Sequence, residues 1–173
     1  SNYLYAPVFE QGKVKAVSAY TTSPVTVVVQ NPDSLKGYDK IELDFDKGGN
    51  TVTLNKKYKC GMNEFLNTPF GILKFIPNKY YTPGIINKQL YFSLKDPKVV
   101  AMNILPNLSV APSSKLSTVV NLSYRDEIPE RAEDILNSLI LSYEESAILD
   151  KNSLARNTLK FVEERLNIVA ADL

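Results

Sequence analysis

The sequence predicts an α+β protein: a mostly antiparallel, β-rich region followed by a β–α unit and a long C-terminal helix. Two observations carry that class. Short runs rich in Val, Ile, Leu, Phe and Tyr, separated by Gly, Pro and Asn turns, fill the first half of the chain. The stretch from Asp126 to Leu173 has no Gly and a single Pro, Pro129, and carries apolar residues at helical spacing. Strands early and helices late favour α+β over a parallel α/β sheet. The parts divide as residues 1–95, a β-rich domain, and 96–173, an α/β segment with the helical tail, with a boundary near Asp96.

In chain order, Val14 to Tyr20 and Val25 to Gln30 read as strands; the second, VTVVVQ, is β-branched enough to be buried. Lys40 to Phe45 alternates, with Ile41, Leu43 and Phe45 on one face and Glu42 and Asp44 on the wet one. Asp46 to Asn50, with Gly48 and Gly49, is a hairpin loop returning through Thr51 to Leu54. Tyr58 to Phe70 is extended and turning without a clear period. Gly71 to Ile76 and Gln89 to Leu94 are strands flanking a Pro-bounded loop that holds Lys79, Tyr80 and Tyr81. Asp96 then caps a short helix that begins at Pro97 and ends before Pro106. Leu108 to Ala111 and Leu116 to Tyr124 are the last strands.

The tail opens with Asp126 or Glu127 as cap, Pro129 in the first turn and acids at the positive end of the helix dipole. Ala132, Ile135, Leu136, Leu139, Ile140, Tyr143 and Ala147 form a broad stripe that needs a cover. Leu159, Val162, Leu166, Val169 and Leu173 form a narrower seam of coiled-coil type, a candidate surface for helix packing or self-association. Between them Asp150 to Ser153 is either a short break with Ser153 as a new cap or the solvated turn of one long helix. With no stop signal at Leu173, the helix is expected to be truncated there and to continue further.

Composition excludes much chemistry. The 173 residues contain no His and one Cys, Cys60, which removes His-based triads, His metal sites, thiolate zinc clusters and internal disulfides. Cys60 beside Gly61 reads as a small buried hydrophobe. Twenty basic against 19 acidic residues give no electrostatic case for nucleic acid. No apolar run of roughly 18 residues spans a bilayer, so any membrane attachment is expected through segments outside these residues. Gly48-Gly49 is a turn, since no phosphate-binding glycine pattern accompanies it. Glu42, Asp44 and Asp46 are explained by a wet strand face. No catalytic residue, metal site or cofactor is expected. Of ten tyrosines, Tyr80 and Tyr81 are the pair chosen as a candidate glycan contact. Arg131, Lys151, Arg156 and Arg165, on the polar sides of the tail, are candidates for ion pairs across subunits.

The tail also carries a resemblance. Asp126, Pro129, Ala132, Asp134-Ile135-Leu136-Asn137, Leu139-Ile140, Tyr143, Ala147-Ile148, Asp150-Lys151-Asn152, Ala155, Thr158, Phe161-Val162 and Arg165-Leu166 resemble the periplasmic region of Wzz-type polysaccharide chain-length determinants. They are most similar to the larger members joined to a cytoplasmic tyrosine autokinase. Thr22 to Val25, the helix after Asp96-Pro97 and Ser117 to Leu122 agree loosely. The resemblance implies the periplasmic part of an inner-membrane protein with two membrane helices. It would act as a ring-like homo-oligomer with the polymerase and export machinery of capsular or exopolysaccharide, setting chain length. Neither a Walker motif nor a Tyr-rich cluster is present, so kinase activity is not assigned to these residues. The region Val14 to Leu94 is larger than such a base needs and reads as an inserted β-domain. The competing reading is a carbohydrate-binding β-domain that a helical stalk presents.

Overall fold

A computed structural model describes residues 4–12, 15–32, 35, 37–46, 49–81 and 89–171, with side chains of the last helix described through Asn167. The protein is α+β, with eleven strands among the described residues, all paired antiparallel, a short helix and a long one. It forms two compact units, Ser1–Ala132 and Glu133–Leu173.

In the first unit two of three sheets enclose one core. Strands β1 (Val8–Glu10), β2 (Val17–Ser18), β4 (Tyr38–Phe45), β5 (Thr51–Leu54), β6 (Tyr58–Gly61) and β9 (Leu90–Leu94) make a six-stranded sheet in the order β2-β1-β9-β4-β5-β6. Strands β3 (Val25–Val29), β7 (Phe65–Thr68) and β8 (Gly71–Pro77) make a second, ordered β3-β8-β7. Alternation decides what faces inward. Val25, Val27 and Val29, Leu73 and Phe75, Ile41 and Leu43, Val52 and Leu54, and Leu90, Phe92 and Leu94 are all buried. Phe75 of one sheet meets Phe92 of the other edge-on at 6.2 Å, across the middle of that core. Each such side chain contributes about 1.5–3 kcal/mol by leaving water.

Turn chemistry sets the registers. In the β4–β5 loop Gly49 has φ +69°, and the Asp46 carboxylate accepts the Thr51 N–H at 3.0 Å; Gly48 lies outside the described residues. Asn55 and Lys56 both sit at positive φ in the β5–β6 turn, closed by the Lys57 N–H on the Leu54 carbonyl. Three residues, Asn55 to Lys57, separate the paired Leu54 and Tyr58, and the left-handed conformation of the first two suits Asn better than Lys. The chain passes between sheets at Gly61 to Glu64, where the Glu64 carboxylate accepts the Gly61 N–H and the Asn63 N–H reaches the Phe75 carbonyl. Gly71, at φ +125°, closes the β7–β8 turn.

Several sequence expectations are sharpened or corrected. β1 has no counterpart among the expected strands; it lies between β2 and β9 with Phe9 opposite Tyr91. The strand expected from Val14 to Tyr20 shortens to Val17–Ser18 among the described residues. The stretch Tyr58 to Phe70 contains two strands, β6 and β7. The strand expected from Leu116 begins at Val120 as β11 (Val120–Tyr124) and pairs with β10 (Leu108–Pro112). The residues before it are held in a turn, because Ser117 Oγ accepts both the Val119 N–H and the Ser113 hydroxyl. Asp96 caps α1 (Pro97–Ile104) as expected, accepting the Lys98 N–H at 2.7 Å.

Candidate functional site

The element of functional interest is α2 (Pro129–Ala171), 43 residues without interruption. At a rise of about 1.5 Å per residue it extends roughly 65 Å. Its start is built from three residues. Asp126 accepts the Ile128 N–H at 2.9 Å, and its two carboxylate oxygens take Nε and Nη2 of Arg131 at 2.8 and 2.6 Å. Pro129 occupies the first turn, where no N–H is needed. Burial pulls the Asp126 carboxyl upward, but the Arg131 bonds, the Ile128 and Glu127 N–H groups and the Arg131 charge outweigh it, so its pKa lies below the ordinary value. Arg131 is raised, first by its bond to Asp126. Arg131 is therefore engaged by Asp126 within its own chain.

Asp150 to Ser153 is helical, so the two alternatives for that stretch resolve to one long helix. This changes how the apolar residues are read. With no break, all positions share one phase of about 100° per residue. The broad stripe continues upward through Leu154 and Phe161, and the narrow seam continues downward through Ala155, Ile148 and Leu141. The two successive patterns are thus two parallel faces on the same helix. Face one runs through Leu136, Ile140, Tyr143, Ala147, Leu154 and Phe161; face two through Leu141, Ile148, Ala155, Leu159, Val162 and Leu166. Their centres are roughly 115° apart around the axis.

Ile135 is buried and Leu136 half-buried near the base. Beyond them the large apolar side chains of both faces are open, from 42% exposed at Ile140 to 74% at Tyr143. Leu159 and Leu166 are exposed likewise. The Val169 side chain and Leu173, the remaining members of the expected seam, lie outside the described residues. Polar residues on the helix surface are loosely held: Lys160 and Glu164 approach at 3.9 Å, and the Arg165 guanidinium lies over the Phe161 ring at 5.6 Å.

Tyr80 and Tyr81 belong to a turn that Asn78 organises. The Asn78 amide donates to the Tyr20 and Ser23 carbonyls, and its side-chain oxygen accepts the Tyr80 N–H. The Tyr80 ring lies 5.9 Å from Tyr20 with the Lys79 ammonium 4.5 Å over it. The loop beyond Tyr81, residues 82–88, is outside the described residues. Cys60 is buried, and burial followed by the Glu64 charge pushes its thiol pKa up, which disfavours a thiolate nucleophile. Asp44 accepts the Gln89 amide at 3.1 Å. Among the described residues no cluster of metal-ligating side chains occurs, and no described helix is long and apolar enough to cross a membrane.

The full length of face two is not evident from composition. Its signal is a seven-residue spacing, Leu141, Ile148, Ala155 and Val162. A break at Asp150 to Ser153 would conceal it, and only a continuous helix aligns the four residues.

Comparison with known proteins finds a distant relative. A protein of Acinetobacter johnsonii described as tyrosine-protein kinase ptk is 27% identical over 133 residues, covering 73% of this chain. The chain spans 18% of that relative's length. No family model and no solved structure matches.

Proposed function

We propose that this chain is a non-catalytic scaffold and self-association segment of a larger membrane-anchored protein that works in the assembly and export of surface polysaccharide, where it helps set chain length. In this reading the segment is periplasmic, needs no cofactor, and meets the polymerase and export machinery. A tyrosine kinase, if the full protein carries one as its distant relative's name states for that protein, lies outside these residues. The observation that carries the reading is α2: a continuous 43-residue helix with two apolar faces left open to water. Exposed apolar area of that extent on a helix marks an interaction surface. The resemblance of the tail and the distant tyrosine-kinase relative supply the functional context.

The test is sedimentation velocity on the full-length protein in detergent. An assembly of several copies is expected, and the double variant Leu154→Glu/Val162→Glu should shift it to smaller species. A wild-type protein that sediments as a monomer across micromolar concentrations would end this reading.

The second reading, a carbohydrate-binding β-domain, draws on the Tyr20–Tyr80 ring pair and Lys79 above it. Saturable binding of the organism's own capsular or exopolysaccharide, lost in Tyr80→Ala, would favour it over the first.

A further inference from the structure

We infer that the turn between β5 and β6, with the aromatic rings beside it, is a binding site for acidic polysaccharide, a chain of sugars that carry carboxylates. The inference rests on the polysaccharide context proposed above, not on self-association, and adds the charge of the ligand and the residues that hold it. The overall charge conceals the signal. Residues 1–95 hold 12 basic against 7 acidic side chains, and residues 96–173 hold 8 against 12. The basic excess therefore belongs to the β-rich region, and a basic surface there concentrates polyanions.

The geometry of one end of the sandwich gives that excess a place. Phe70, in the β7–β8 turn, meets Tyr38 edge-on at 4.7 Å and Tyr58 at 6.3 Å. These contacts bring the start of β4, the start of β6 and the β7–β8 turn together. The three rings close the end of the core, and each keeps a part in water. Leu54 pairs with Tyr58, so Lys56 and Lys57 stand in the turn and Lys59 follows on β6. All three lysines are exposed, and the Lys57 ammonium lies 5.3 Å over the Tyr58 ring. Among the described residues none of the three is ion-paired. The carboxylates described at this end are Asp39 and Glu42, the latter donating its N–H to the Asn55 side chain at 2.9 Å. They leave the lysines in excess.

Lys56 carries a second, independent sign. It stands at φ +56° directly after Asn55 at φ +46°, a conformation that Gly or Asn adopts at less cost. A long charged side chain kept in a left-handed turn, with no carboxylate to hold it there, marks a use outside the fold. The two kinds of group fit one ligand. Sugar rings present C–H faces that stack on aromatic rings, and lysine is a flexible point charge that follows carboxylates along a mobile chain. An anionic membrane fits less well. Insertion needs bulky apolar tips clear of the protein, whereas Tyr38, Tyr58 and Phe70 are half-buried against the core. Tyr80 lies beyond the other end of β8 (Gly71–Pro77) from Phe70, so this site is distinct from the Tyr20–Tyr80 pair.

Isothermal titration of the full-length protein in detergent tests this, with polygalacturonate oligomers as the acidic probe and dextran oligomers of equal length as the neutral one. Saturable binding of polygalacturonate alone is expected, weakening as salt rises. Lys56→Asn/Lys57→Gln, which keeps a residue suited to the left-handed turn, should weaken it about fivefold. Lys151→Gln/Lys160→Gln, on α2, should leave it unchanged. Equal binding of dextran, or equal loss in the two double variants, would overturn the inference. So would binding that disappears in Tyr80→Ala and persists in Lys56→Asn/Lys57→Gln, or binding of short-chain phosphatidylglycerol with none of polygalacturonate. Sedimentation of the same samples keeps the two proposals apart. A protein that binds no polygalacturonate, assembled or not, fails this inference; one that binds it as a monomer fails only the scaffold reading.

Discussion

The β-sandwich and α2 spend their apolar residues in opposite ways. In the sandwich, Val27, Ile41, Val52, Leu54, Leu73, Phe75 and Phe92 are wholly withdrawn from water, and on β3 the alternates Thr26 and Val28 are half-buried on the other face. In α2, apolar residues as large as Leu154, Phe161 and Leu166 stay open over several turns. The sandwich satisfies itself. The helix keeps regular heptad spacing without a cover, and regular spacing with no intramolecular use is what an interface requires. The same amino-acid types therefore carry stability in one region and association in the other.

That contrast can be broken most forcefully in the core. Phe92→Ala removes a ring that packs on Phe75 across the sheets, and should cost about 3–5 kcal/mol in denaturant unfolding followed by near-ultraviolet circular dichroism. The matched change on the helix, Leu154→Ala, should alter the same unfolding free energy by under about 0.5 kcal/mol. Comparable losses at both sites would abolish the distinction.

A smaller effect is expected where the helix begins. Asp126→Ala removes the cap and leaves the Arg131 guanidinium without its carboxylate. It should cost about 2–3 kcal/mol, read as fraying of the first turns by amide exchange. The pH dependence follows in sign. The folded carboxyl titrates below its unfolded value, so its contribution is complete above the unfolded value and is lost as pH falls through the folded one. In the wild type, protection of Ile128 to Ala132 should stay level above about pH 5 and decline in stronger acid. In Asp126→Ala that decline should be absent.

The least of the expected effects sharpens the sandwich side alone. Lys56 has φ +56°, which an L-residue adopts at a cost. Lys56→Gly should raise stability by about 0.5–1 kcal/mol in a urea titration, with the β5–β6 register unchanged.

Much of this architecture is legible in the order of the amino acids. Period-two alternation in Lys40 to Phe45 names the inward residues correctly, and Asp96-Pro97 and Asp126 announce both helix starts, because capping is a local hydrogen bond with a local code. The class, α+β with antiparallel sheets and a long helix, follows from such signals. What stays hidden depends on distant partners. β1 is three residues long and exists as a strand because β2 and β9 flank it. β6 and β7 are separated by a turn in which Asn63 takes a positive φ and bonds to the carbonyl of Phe75, a residue on another strand. On α2 the obstacle is different. Asp150-Lys151-Asn152-Ser153 has the composition of a break, and helical continuity there comes from the turns on either side, which local propensity does not count.

The lack of histidine, together with a single thiol held inside the sandwich, has a physiological corollary. No imidazole among these residues is available to change charge between pH 5 and 8. An array made by α2 would be indifferent to such acidification. What would hold it through that interval is the water-exposed apolar area of α2, whose contribution does not depend on a proton.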